Sequence, residues 1–340
     1  MSIEPRRGGI PCSFAPLAPR ATSCGATRRR GHSRIRAGRP PEGPLVESLA
    51  PQPAAPTAGA APGSDRGLRP AERRAWEEDG FFLRPAVFGA AELAALREAA
   101  EAVVEVASAE AGAGESYWID GNRYVEASGS TVQFEHRRET TTLRVVEPFH
   151  YLHPLFSALI DDPRIVDPMC DLLDSERVAL FTDKLNLKRP REGSGFGWHQ
   201  DSPYWTHVCD HVDRLPNVML ALDDAAVGNG CLRVVRGSHR QGLLPGREGE
   251  GTLGPLFTHP DHFREEDQVP AEMPAGSLLF FSPHTVHGSR PNRSDTQRRA
   301  LVLTYQPPGH PMFKRPGVRE AARGPGQASE ARRNASRSSA

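Results

Sequence analysis

The chain's 340 residues carry 42 Lys plus Arg against 42 Asp plus Glu, so it lacks the basic excess that nucleic-acid binders use. With no apolar run of 18 residues it offers no membrane-spanning helix. Its five cysteines, Cys12, Cys24, Cys170, Cys209 and Cys231, are widely spaced and form no CxxC pair, which argues against a disulfide framework or a zinc knuckle and for a reducing, cytoplasmic compartment.

Residues 1–70 differ from the rest of the chain. They are rich in Pro, Ala, Gly and Arg, as in PPEGPLVESLAPQPAAPTAGAAPG, and hold eleven arginines against four acidic residues. Their apolar residues are too few and too irregular to build a core, so a disordered segment is expected. The Arg6-Arg7 pair lacks the long apolar stretch of an export signal behind it. The tail over 315–340, with GPGQASEARRNASRSSA, reads as disordered for the same reason. One folded domain is therefore expected over 71–314, long enough for a sizeable core.

The domain opens with a short helix, AERRAWEED at 71–79, stopped by Gly80, and a brief strand, FFL at 81–83, ended by Pro85. A longer helix begins near Ala90, where Leu93, Leu96, Ala100, Val103 and Val104 recur on one face. A second helical zone covers 153–173, with Asp162-Pro163 as a start signal. Past residue 178, apolar runs at 178–187, 217–222, 231–235, 277–281 and 300–305 alternate with Gly, Pro, Asn and Asp. Helices first and short strands after predict an antiparallel sandwich or barrel buttressed by N-terminal helices. The long polar stretches 123–142 and 241–266 read as binding loops that form a lid.

The segment FGWHQDSPYW at 196–205 places His199 and Asp201 two residues apart, among Trp198, Tyr204 and Trp205. Two apart on a strand means one face. Far along the chain, LLFFSPHTVHGS brings His284, His287 and Ser289 to the end of a strand, and Arg298-Arg299 open the next. Two imidazoles and a carboxylate on one face of an octahedral ion leave three positions open, as in the facial triad of non-haem Fe(II) oxygenases. His199, Asp201 and His287 fit that pattern, the last two 86 residues apart. A 2-oxo acid chelated at two open positions needs a buried cation for its far carboxylate, and the guanidinium fork suits it. Arg298, eleven residues past His287, is the candidate, with Ser289 as a hydroxyl donor beside it. Singly, each feature has an ordinary explanation: a surface pair, a satisfied core histidine, a solvated strand start. Their order together is what points to a metal. The pair His207 and His211 lacks the Glu of HExxH and reads as loop or surface.

Four segments, EEDGFFLRPAVFGAAELAALREA, WHQDSPYW, LALDDAAVGNGCLRVVRGSH and GSLLFFSPHTVHGSRPNRSDTQRRALVL, cover most of 76–305. Together they resemble the phytanoyl-CoA dioxygenase family of Fe(II)/2-oxoglutarate-dependent oxygenases. The resemblance implies a mainly β fold with flanking helices, a double-stranded β-helix of the jelly-roll, cupin-like type. It implies iron on His199, Asp201 and His287, 2-oxoglutarate on Arg298, and O2 as co-reactant. It places Ser289 and Arg144 beside the co-substrate and Leu185 and Met219 along its pocket. VVRGSH departs from the family in having Arg before the Gly where relatives have Pro, which alters a turn and no ligand. Relatives that halogenate lack the carboxylate that Asp201 supplies, so hydroxylation of a small organic metabolite is the expected outcome, with no nucleic-acid or membrane partner and an undetermined oligomeric state. Two other readings stay open: a non-catalytic metal- or ligand-binding jelly roll, and a cupin-type metalloenzyme of another reaction class, which would not need Arg298.

Overall fold

A computed structural model describes residues 66–324 apart from Arg138; the expected disorder of 1–65 and 325–340 lies outside the described residues. Helix α1 (Pro70–Asp79) begins on a proline, whose missing N–H is no loss in a first turn, and ends at Gly80 in the left-handed conformation, φ +86°. Strand β1 (Phe81–Arg84) follows. Helix α2 (Ala90–Ala113) buries Leu93, Leu96, Ala99, Ala100, Val103 and Ala107 along one stripe.

Next comes a meander of β2 (Ser116–Ile119), β3 (Asn122–Ala127), β4 (Ser130–Phe134) and β5 (Leu143–Glu147). Asp120-Gly121 and Ser128-Gly129 make its first two turns, with positive φ at all four residues, the geometry that two-residue hairpins demand. Strands β3 and β4 thus occupy half of 123–142, where composition suggests a lid loop. Helices α3 (Pro154–Leu159) and α4 (Pro163–Leu172) divide the second helical zone; Asp162 caps α4, its Oδ1 accepting the Arg164 N–H at 2.9 Å. The remaining strands are β6 (Arg177–Lys188), β7 (Phe196–His199), β8 (Asn217–Ala221), β9 (Leu232–Val235), β10 (Gln268–Pro270), β11 (Leu278–Phe281), β12 (His287–Ser289), β13 (Arg298–Gln306) and β14 (Glu320–Ala322).

Two antiparallel sheets face each other. The major one has the order β1-β11-β8-β13-β6-β5-β4-β3-β2, and the minor one β10-β9-β12-β7. Alternation along each strand splits the major sheet's side chains between two cores. Outward, Val146, Leu185, Leu187, Leu220, Phe280 and Leu301 pack against the helices. Inward, Met219, Ala221, Leu279, Phe281 and Ala300 meet Val234 and Val269 of the minor sheet. This is the jelly-roll sandwich with a helical buttress that the strand pattern predicts. Among the described residues no helix is long and apolar enough to cross a membrane.

Ordered chain runs past the boundary expected at residue 314. Strand β14 pairs with Arg177, Val178 and Ala179 at the start of β6, an edge that β5 leaves uncovered. Arg323 then reaches buried Asp171, Nη2 to Oδ1 at 2.9 Å, with the two side chains 3% and 0% exposed. Asp171 keeps the Leu68 N–H at 2.7 Å when this partner is removed, so Arg323→Met, which deletes one charge-assisted hydrogen bond, should cost about 1.5–3 kcal/mol of unfolding free energy in urea titration. A chain ending at Lys314 should lose at least as much.

Candidate active site

Strand pairing builds the site. His287 on β12 stands directly opposite His199 on β7, which sets the two imidazole centroids 4.2 Å apart. Asp201 arrives differently from the same-strand expectation. Strand β7 ends at His199, and Asp201 opens a single 3-10 turn. Its own N–H and that of Ser202 both donate to the Pro283 carbonyl, at 3.0 and 3.1 Å. That crossing, and no strand alternation, swings the carboxylate back beside the histidines. One ligand atom from each of His199, Asp201 and His287 lies within 4.8 Å of the others, and His287 Nε2 is 3.9 Å from Asp201 Oδ2.

The tautomers follow from the backbone. His199 Nδ1 donates to the Gly197 carbonyl at 2.7 Å and His287 Nδ1 to the Thr285 carbonyl at 2.9 Å. A carbonyl only accepts, so each ring carries its proton on Nδ1 and offers the Nε2 lone pair. Burial, reinforced by neighbouring His287, pushes His199 down to about 3 and keeps it neutral. Buried Asn217 orients the carboxylate, Nδ2 to Asp201 Oδ2 at 3.0 Å, and Thr304 Oγ1 in turn donates to Asn217 Oδ1 at 2.6 Å. Two imidazoles turned to offer Nε2 and one oriented carboxylate suit a divalent ion of intermediate softness such as Fe(II). Lys184 Nζ lies 3.9 Å from Asp201 Oδ1 and 4.0 Å from Glu147 Oε1.

A second cluster, of cations, sits farther along the same inner face. Arg298 is 3% exposed. Its Nη2 donates to the Gly230 carbonyl at 3.0 Å, while its buried Nε has no hydrogen-bond partner. Burial lowers it to about 10, still charged at neutral pH. Ser289 on β12 accepts from Lys188 Nζ at 2.8 Å, Lys188 being the register partner of Arg298, and Met219 shares the inner face. Arg144 reaches this region through a bulge: Gln133 pairs with Val145 but Phe134 pairs with Leu143, so Arg144 is the extra residue of β5. A bulge re-aims a side chain, and here it sends Nη2 to the Gly195 carbonyl at 2.5 Å and Nη1 to His136 Nε2 at 2.8 Å, leaving buried Nε without a partner.

Leu185 is the candidate that the structure removes. It is fully buried in the helix-side core, because inward and outward positions alternate and Lys184, Asn186 and Lys188 take the inward ones. The sequence TDKLNLK carries that signal plainly: its polar residues alternate with two leucines. Lys184, Lys188, Asn217 and Thr304 are the site residues that motif reasoning misses.

His284 faces away from the ligand group, its Nδ1 paired with Ser202 Oγ at 2.9 Å and its Nε2 with Asp213 Oδ1 at 2.7 Å. His211 stacks near His310 at 4.1 Å and bonds Gln306. Trp205 is core, edge-on to Phe181; Trp198 packs near Phe263 at 5.3 Å and Tyr204 edge-on to His199 at 6.0 Å. Buried Gln200 ties the 241–266 segment down, donating to the Gly242 and His284 carbonyls and accepting the Leu244 N–H. That segment also bridges His199 through Phe257, so the second expected lid stretch does border the site.

A family model described as phytanoyl-CoA dioxygenase (PhyH) matches residues 76–300. A 2-aminoethylphosphonate dioxygenase from uncultured bacterium HF130_AEPn_1 is 30% identical over 185 residues, 53% of this chain and 66% of that one. An ectoine dioxygenase from Bordetella bronchiseptica is 27% identical over 273 residues, 72% of this chain and 79% of that one. The chain spans just under two thirds of the length of two of the relatives it matches, 64% and 66%. Among solved structures, EctD from S. alaskensis with bound Fe superposes with a TM-score of 0.57 at 22% identity, covering 75% of this chain and 82% of that one, a likeness of fold.

The two faces of β6 separate stability from binding. Leu185→Ala should lower unfolding free energy by about 2–5 kcal/mol. Affinity for 2-oxoglutarate, measured by titration of the folded variant, should stay within about twofold, since the lost side chain is on the helix side.

Proposed function

The chain belongs to the phytanoyl-CoA dioxygenase family, and from that premise we propose that it is an Fe(II)- and 2-oxoglutarate-dependent oxygenase. The reaction is hydroxylation of a C–H bond in a small organic metabolite: substrate, 2-oxoglutarate and O2 give hydroxylated product, succinate and CO2. The observation that carries this reading is the convergence of His199, Asp201 and His287 within 4.8 Å, with both histidine Nδ1 atoms held by carbonyls.

In this reading His199 and His287 would offer Nε2, and Asp201 one carboxylate oxygen, to hold the metal. Bound iron supplies the oxidising chemistry, driven by decarboxylation of the 2-oxo acid. The protein's own groups position and hold. Asn217 and Thr304 fix the Asp201 carboxylate. Arg298 and Ser289 receive the distal carboxylate of 2-oxoglutarate, and the unpartnered Nε of Arg298 is the donor that such a ligand satisfies. Arg144, with its own unpartnered Nε, lies on the co-substrate's flank. Met219 lines the apolar wall next to Phe281 and Ala300. The relatives named as dioxygenases of an aminophosphonate and of ectoine support a small metabolite as substrate. The free thiols of Cys170, Cys209 and Cys231 fit a reducing, cytoplasmic setting.

Anaerobic addition of Fe(II) and 2-oxoglutarate should produce a weak visible charge-transfer band, and admitting O2 should release succinate. Asp201→Ala should lose both, and normal turnover by that variant would remove Asp201 from the ligand set. Asn217→Ala leaves the ligands in place but frees the carboxylate, and should weaken metal affinity by about 10–100-fold in a competition titration. Arg298→Ala should raise the KM for 2-oxoglutarate at least about thirtyfold, the equivalent of roughly 2 kcal/mol for a buried charge partner. Activity indifferent to that change would favour a metalloenzyme of another class.

A further inference from the structure

Lys188 lies at the heart of the cation cluster, yet neither metal binding nor the Arg298 anchor accounts for it. It is 1% exposed and is the direct register partner of Arg298 across β6 and β13. Its Nζ donates to Ser289 Oγ at 2.8 Å and to the Arg290 carbonyl. Gly230 links the two side chains. Its carbonyl accepts from Arg298 Nη2, and a β-carbon added to it would come within 2.9 Å of Lys188 Nζ. The lysine amine is thus bonded to the serine hydroxyl, and Gly230 adjoins both the amine and the guanidinium, in the region assigned to the distal carboxylate.

The surroundings hold little negative charge. Arg298 on β13 and Arg144 on β5 are cations. The thiol of Cys231, just before β9, is pushed up to about 11 by burial and is neutral. Glu135, just after β4, is the carboxylate that raises Lys188 most among the described residues, and both of its oxygens accept the Ser194 N–H. Lys188 makes no ion pair among the described residues. Burial first, then Arg298 and Arg144, lower it to about 6, so at neutral pH the amine is uncharged, with two N–H groups for its two acceptors. An anion arriving beside it reverses the balance.

We propose that Lys188 is a positioning residue for the co-substrate, taking up a proton as the distal carboxylate of 2-oxoglutarate docks on Arg298 and Ser289, and so adding a second positive charge only when the site fills. This rests on the co-substrate assignment to Arg298. The direction with pH is fixed. Below about pH 6 the amine is charged before and after binding, and no proton moves. Above it, about one proton is taken up per dicarboxylate, so affinity falls roughly tenfold per pH unit until the complex itself loses that proton.

The test is calorimetry on the full chain loaded with Mn(II), near pH 7.5, in two buffers of different ionisation enthalpy. Two ligands are compared: 2-oxoglutarate, and pyruvate, which has the same chelating end and no distal carboxylate. The unsubstituted protein should take up close to one proton more with 2-oxoglutarate than with pyruvate. Lys188→Met should abolish that difference and weaken 2-oxoglutarate about tenfold or more. Lys188→Arg, permanently charged, should bind without uptake and with little pH dependence. Equal uptake for both ligands in the unsubstituted protein, a measurement that needs no variant to fold, overturns the role of Lys188; so does full uptake in Lys188→Met. Failure of the unsubstituted protein to bind 2-oxoglutarate at all would instead overturn the assignment of Arg298, and this proposal with it.

Discussion

The pairing of β7 with β12 is the constraint on which the site depends. It puts His199 opposite His287, and slipping either strand by one residue would turn an imidazole to the other face. The register is held from several directions. Strand β12 pairs on its other edge with β9, where His287 faces Val234. The Pro283 carbonyl takes the N–H groups of Asp201 and Ser202, and Gln200 binds the His284 carbonyl. Backbone hydrogen bonds thus place the three side chains of the proposed ligand set, and the carbonyls of Gly197 and Thr285 choose the tautomers of its two histidines.

The inner face of the major sheet then divides the labour by position along its strands. Near the histidines lie Lys184, Asn217 and Thr304; toward the other end of β6 and β13 lie Lys188 and Arg298. Burying the Arg298 guanidinium with no ion pair among the described residues is unfavourable, and a fold tolerates it where something else depends on it. The surrounding core makes it tolerable here: the outward face of the same strands carries Leu185, Leu187, Leu301 and Leu303 into an extensive helix-side cluster. One face of each strand stabilises the domain, which frees the other for chemistry.

How much of this was legible depended on whether the signal was local. The helix starts and stops were, because Asp162-Pro163 and Gly80 act within a turn of themselves. Strands β6, β8, β9, β11 and β13 were, because burial gives them apolar runs; the three-residue β10 and β14 carry no such run. Strands β2 to β4 were hidden, since one face carries polar or exposed residues such as Glu126, Thr131 and Gln133 and only Val125, Ala127, Val132 and Phe134 are core. The Asp-Gly turn at 120–121 was the overlooked clue. Leu185 was misplaced by a single residue, which on a strand means the opposite face.

By itself the sequence determined the chemistry on offer: two histidines, a carboxylate and an arginine in a telling order, with the helices and most strands that carry them. Only the tertiary structure decided that Asp201 reaches the histidines through a turn, that a bulge points Arg144 inward, and that Lys188 shares its spot with Arg298 and Ser289. The reason is physical. Pairing between strands far apart in the chain is settled by register and burial over the whole sheet, and neither leaves a mark on the residues next in line.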